Sequence, residues 1–260
     1  MWASVLIEQG IINNDRKIIA YLNTIKIQGQ PVKKVRRQFK EHYRLKLWKL
    51  INSQSGSVAS YQKMKQIADA LDSQGKGYFS EGWHQSRYSN RRDPFSSRPT
   101  NNSTQVVLKT EDAQKYGITL QTEKHRKFDE IYGDENSATI REHKHVSQPL
   151  KGDQLKQYQD NVQIVEYNID SDNPLILEKD GKKYRPNKLV YTFATPEGVR
   201  ANVEWIKTQT EDYQEFLSVE IININGEKKT IDIDNLKELD EPALSQWLNS
   251  SSTNNTKSKR

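Results

Sequence analysis

Residues 189–205 read LVYTFATPEGVRANVEW, and their period decides the fold. Leu189, Tyr191 and Phe193 alternate with Val190 and Thr192, the period-2 pattern of a strand. Val199, Ala201, Val203 and Trp205 alternate with Arg200, Asn202 and Glu204, so a second strand is expected after a Thr195-Pro-Glu-Gly198 turn. The rival reading makes Thr195-Pro-Glu a helix start, with Val199, Val203 and Ile206 on one helical face. The strand is preferred here. Asp180-Gly181 and Asn225-Gly226 flank this stretch as two-residue hairpin signals between apolar segments. Residues 162–234 therefore read as antiparallel sheet or small barrel.

Upstream, the period is less regular. Val106 to Leu108 suggests a short strand. Thr110-Glu-Asp112 caps a short helix that Gly117 ends. Helices are expected from Thr122 to Ile131 and from Gly152 to Asn161. A last helix, Glu241 to Asn249, carries Leu244, Trp247 and Leu248, and 250–260 is expected to be a disordered basic tail. The fold class is α+β: a basic helical part at 1–83, a flexible linker rich in Arg, Ser and Asn at 84–104, mixed short helices and a strand at 105–160, and a mostly antiparallel β part with a terminal helix at 161–249.

Charge is segregated along the chain. The 260 residues carry 40 Lys and Arg against 34 Asp and Glu, a net charge of +6. Residues 1–100 hold 18 cations and 7 acids, and the remaining 160 residues are net acidic by 5. The extreme is VKKVRRQFKEHYRLKLWKLI at 32–51, with eight cations against Glu41 alone. Val32, Val35, Phe39, Leu47 and Leu50 recur there at helical spacing, and Pro31 suits a first turn. The reading is a basic amphipathic helix. Lys33, Lys34, Arg36, Arg37, Lys40 and Arg44 are its candidate phosphate contacts, since such cations release counterions from a polyanion. Arg87, Arg91 and Arg92, interleaved with Tyr88 and Phe95, extend the candidate nucleic-acid surface. A solvated helix packed on its neighbours, or a membrane-surface or calmodulin-target helix, are the competing readings.

Two short motifs resemble known families. KQIADAL at 65–71 resembles the first helix of a helix-turn-helix, and a winged variant would place 59–71 in the major groove ahead of a Gly-rich β-wing. DSQGKGYFSEGW at 72–83 resembles an EF-hand calcium loop, with Asp72, Gly77, Phe79 and Ser80 at its first, sixth, eighth and ninth positions. Trp83 stands where the bidentate Glu belongs, and Gln74 and Lys76 fill ligand positions, a set that excludes calcium. A helix, a glycine turn and a short strand are expected there instead.

No run of 18 apolar residues suggests a membrane span. The absence of Cys removes thiolate chemistry and agrees with a reducing, cytoplasmic compartment. No P-loop, G-x-G-x-x-G, G-x-S-x-G or H-E-x-x-H is found. His143-Lys-His145, after Glu142, has the H-x-H spacing of cupins and HUH nucleases. Gln148 replaces the cupin carboxylate, and Lys144 replaces the apolar residue between the HUH histidines, so no metal is assigned. Metal-dependent nucleases carry an acid followed by Glu-x-Lys on a strand. Glu227-Lys228-Lys229 has the letters, at a hairpin turn, with Asp232 and Asp234 beyond.

The expected function is therefore non-enzymatic association with DNA or RNA, without cofactor, metal or catalytic residue. One alternative is an assembly factor whose basic helix binds an acidic partner. In either case the acidic C-terminal β part is free to contact protein. The other alternative is a metal-dependent nuclease using Glu227, Lys229 and Asp232.

Overall fold

A computed structural model describes residues 55, 58, 60–71, 73–88, 102–122 and 124–250. The chain divides into two units, Met1–Tyr88 and Ser89–Arg260. The basic segment at 32–51 lies outside the described residues.

In the first unit, α1 (Tyr61–Asp69) falls within the predicted 59–71 helix. Ser60 caps it, its hydroxyl accepting the Lys63 N–H at 3.2 Å. α2 (Ser73–Tyr88) corrects the reading of 72–83: one helix runs through Gly75, Gly77 and Gly82, with neither a calcium loop nor a β-wing. Tertiary packing overrides the poor helical propensity of glycine. Phe79 and Trp83, one turn apart, are buried, and the Trp83 indole N–H donates to the Val58 carbonyl at 2.9 Å. Tyr61 meets the same indole edge-on at 6.0 Å between ring centroids.

The second unit is built on an open mixed sheet of six strands, not a closed barrel, in the order β1-β2-β3-β6-β7-β8. Its elements are β1 (Asn102–Lys109), α3 (Thr110–Gln114), β2 (His125–Gly133), β3 (Ala138–Lys144), α4 (Asp153–Ile169), β4 (Leu177–Lys179), β5 (Lys182–Tyr184), β6 (Pro186–Phe193), α5 (Pro196–Ala201), α6 (Val203–Asp212), β7 (Leu217–Ile222), β8 (Lys228–Ile231), a 3-10 segment (Ile233–Leu239) and α7 (Ala243–Leu248). β1, β2 and β3 form an antiparallel meander, β6 and β7 run parallel to β3, and β8 returns antiparallel. The two parallel steps each need a crossover, supplied by α4 and by α5 with α6.

The Asp180-Gly181 hairpin is present, both residues at positive φ (51° and 74°), and joins β4 to β5. Asn225-Gly226 lies in the β7–β8 connection, where the Asn223 side chain accepts the N–H groups of Asn225 and Glu227. Two expectations are corrected. Residues 125–133 form strand β2, not a helix: Phe128 and Ile131 share a helical spacing, but β1 and β3 pair with the segment on both edges. Residues 199–205 are helical, and the rival reading holds. The Thr195 hydroxyl accepts the Gly198 N–H at 3.0 Å and Pro196 opens the first turn. Asn202 then breaks the helix in two. Its side chain accepts the Leu150 N–H and donates to the Gln148 and Gly198 carbonyls.

The core lies between α4, α6 and one face of the sheet. α4 buries Tyr158, Val162 and Val165, while β6 supplies Leu189, Tyr191 and Phe193. At about 1.5–3 kcal/mol per buried large apolar side chain, this layer is what holds the crossovers to the sheet.

Candidate active site

The site grows from a fork between two neighbouring strands. The β2–β3 ladder runs from Gly133 opposite Ala138 to Glu130 opposite Arg141 and ends there. Below that pair, β2 stays with β1, while Glu142, His143 and Lys144 pair with Tyr191, Thr192 and Phe193 of β6. Asp129 and Glu142 sit at the crotch. The Asp129 carboxylate accepts the His143 N–H at 2.9 Å, and the Glu142 carboxylate accepts the Asp129 N–H. Two acidic side chains 13 positions apart in sequence are thus clamped together by each other's backbone.

Strand alternation sorts the residues of β3. Glu142 and Lys144 share one face, with the Lys144 ammonium donating to Glu142 at 3.1 Å and lying 5.3 Å from the Tyr191 ring centroid. Arg126 reaches the other Glu142 oxygen at 2.5 Å, while its Nε donates to Asn161 of α4 at 2.8 Å. The Glu142 side chain is 1% exposed and that of Lys144 8%. Asp129 is half-buried.

The two carboxyls behave differently. Burial, with the like charge of Glu142, raises Asp129 above the ordinary aspartate range. Burial also works to raise Glu142, but the Arg126 and Lys144 cations outweigh it and hold Glu142 below its ordinary value. The crotch thus sets two carboxyls against two cations, with Glu142 held ionised by Arg126 and Lys144 and the charged form of Asp129 disfavoured. Asp129 and Glu142 are the residues suited to hold a divalent cation there. Among the described residues no three His, Cys, Asp or Glu side chains gather as a metal-holding group. Mg²⁺ is held through one or two carboxylates, waters and substrate phosphate oxygens; here the two Glu142 oxygens pair with Arg126 and Lys144.

Arg141 and His143 point to the opposite face. Arg141 lies 3.3 Å from Glu220, which also accepts from the Thr192 hydroxyl at 2.9 Å and from the Lys228 ammonium at 2.5 Å. The His143 imidazole is buried 3.8 Å from Glu130. His143 therefore does not share a face with Glu142 and Lys144.

The residues singled out at Glu227 to Asp234 do not assemble into a site. Glu227 accepts from Asn223 at 2.7 Å, Lys229 pairs with Glu238, and Asp232 caps the 3-10 segment. Lys33, Lys34, Arg36, Arg37, Lys40, Arg44, Arg91 and Arg92 lie outside the described residues. Arg87 is in the last turn of α2. What the sequence reading missed is Glu142-His143-Lys144, the same Glu-x-Lys pattern, hidden because the letters were read as H-x-H. Its partner acid Asp129 was hidden by the expected helix at 122–131. An acid on one strand followed by Glu-x-Lys on the next was the signal available.

No helix among the described residues is long and apolar enough to cross a membrane. No family model matches the chain, and no curated protein or solved structure matches it.

Proposed function

We propose that the chain is a metal-dependent nuclease that hydrolyses phosphodiester bonds of nucleic acid at Asp129, Glu142 and Lys144. The observation that carries this reading is the convergence of two carboxylates and one ammonium at the β2–β3 fork. Asp129 and Glu142 would hold Mg²⁺, which supplies charge neutralisation at the phosphate and a more acidic bound water. Lys144 would stand against the charge that builds on the phosphoryl oxygens as water attacks. The oxygen of water forms the new bond to phosphorus, one phosphorus–oxygen ester bond breaks, and the departing oxygen takes up a proton. The basic 32–51 segment, with Arg87, Arg91 and Arg92, would bind nucleic acid through phosphate contacts.

The test is cleavage of labelled DNA and RNA with Mg²⁺, with EDTA, and by a Lys144→Met variant. Cleavage that needs Mg²⁺ and is lost in the variant is expected. Absence of Mg²⁺-dependent cleavage on single-stranded and duplex substrates of both kinds refutes the reading.

A second reading, nucleic-acid binding without cleavage, is favoured by the pairing of Glu142 with both Arg126 and Lys144, which is also how a structural ion network looks. It expects salt-sensitive retention on DNA or RNA and no turnover.

A further inference from the structure

A cleft of about 630 Å³ opens between α4 and α6, over the sheet face that carries Glu142 and Lys144. Rings and amides dominate its lining: Tyr158, Trp205 and Tyr213, with Gln163 and Gln209. Glu166 is the one charged side chain among its described lining residues, and no cation lines it. Such a lining suits a neutral planar ligand and disfavours a phosphate.

Two polar atoms of residues that line this cleft are buried without a hydrogen-bond partner among the described residues, the Tyr158 hydroxyl and the Gln163 side-chain oxygen. Tyr158 is 4% exposed. A buried donor or acceptor left unmade is costly, and native folds keep few of them. Here the residues that carry this hydroxyl and this carbonyl both line a recess of the size that ligand pockets occupy, about 300–1,000 Å³.

The cleft is tied to the acidic fork through stacked rings. Tyr158 meets Trp205 at 4.8 Å and Tyr191 at 5.2 Å between centroids. Tyr191 is the ring beside the Lys144 ammonium. A base seated against Tyr158 would therefore lie one ring away from the residues proposed to cut its backbone.

We infer that the α4–α6 cleft receives a single unpaired nucleobase of the strand being cut, stacked on its aromatic side chains and hydrogen-bonded by Tyr158 and Gln163. This rests on the nuclease reading for the identity of the strand. Aromatic stacking accepts any base, and side-chain amides and hydroxyls read base edges once a base is out of its duplex. Unpaired or readily extruded nucleotides become the preferred substrate class.

The probe is a short single-stranded oligonucleotide carrying 2-aminopurine at one central position, compared with the same strand abasic there. DNA and RNA versions are titrated against the full chain in EDTA, so that nothing is cut. The base-bearing strand is expected to bind roughly tenfold more tightly than the abasic one, with its fluorescence quenched by stacking. Tyr158→Phe, which removes one oxygen and keeps the ring, is expected to shrink that preference to about threefold or less. Gln163→Leu is an independent variant with the same expectation. Equal binding of the two strands by the unaltered protein, or a preference that both variants leave intact, overturns the proposal. Cleavage with Mg²⁺ is scored separately. Base preference without cleavage keeps the pocket and removes the nuclease reading, and cleavage without base preference does the reverse.

Discussion

Replacing Glu142 by Gln separates a catalytic carboxylate from a structural one. The substitution keeps the side chain's shape and removes a charge that touches Arg126 at 2.5 Å and Lys144 at 3.1 Å. Both cations are almost wholly buried, 3% and 8% exposed. At an effective dielectric near 20, a pair about 3 Å apart attracts by roughly 5 kcal/mol before desolvation is counted. Measured losses on removing one partner of a buried pair are about 3–5 kcal/mol. Gln retains one acceptor oxygen, so a cost of about 3 kcal/mol is expected, or a melting temperature lower by roughly 6–12 °C for a unit of this size. Catalysis should suffer independently. Loss of several kcal/mol of metal-mediated stabilisation, at about 1.4 kcal/mol per factor of ten, lowers cleavage by roughly 10²–10³-fold. The assay is single-turnover cleavage beside a thermal melt, for Glu142→Gln and for Glu142→Gln with Arg126→Met. The second variant removes a stranded cation and should recover much of the stability and none of the cleavage. Undiminished cleavage by Glu142→Gln, or joint recovery of stability and cleavage in the double variant, refutes the reasoning.

Three further outcomes are expected. Glu220→Gln strands Arg141 and Lys228 on the opposite face and should lower the urea midpoint by an amount worth about 3 kcal/mol. Burial raises the Glu220 carboxyl, but Arg141 and Lys228 outweigh it and hold it below the ordinary value of 4.5. Its stabilisation is thus complete above that pH and is lost as the pH falls through the folded value, where parent and variant midpoints should converge. Gly198→Ala places a Cβ 2.6 Å from the Val146 carbonyl and 2.9 Å from the Thr195 hydroxyl, so a loss of about 1–3 kcal/mol should appear in a chemical melt. Exchanging Arg36, Arg37 and Lys40 for Glu should abolish retention on DNA or RNA at low salt and flatten the salt dependence of the parent, measured by filter binding.

Local signals were legible where a few adjacent residues settle the backbone. Asp180-Gly181 announces its turn because both residues must take positive φ, a state open to Gly and tolerated by Asp. The alternation of Leu189, Tyr191 and Phe193 was readable because β6 buries that face against α4 and α6. The start of α4 was readable too, though its end was placed at Asn161 and the helix continues to Ile169.

The strand at 125–133 and the helices at 196–212 were misread for one reason: periodicity over seven residues fits either state, and distant groups arbitrate. β1 and β3 supply the pairing that makes residues 125–133 a strand. For Thr195, a hydrogen bond from its hydroxyl to the Val146 carbonyl, 49 positions away, helps set the cap. The parallel order β3-β6-β7 likewise depends on crossovers whose geometry has no local signature.

The candidate site divides along the same line. Composition alone placed the excess of positive charge in the first hundred residues, and the letters Glu142-His143-Lys144 were present to be read. What they could not state is which face each side chain takes or which acid stands beside them. Strand alternation turned His143 away from Glu142 and Lys144, and the fork beyond Glu130 brought Asp129 to meet them. Such juxtaposition is a property of chain pairing in space, where residues far apart in sequence become neighbours only after the sheet has formed.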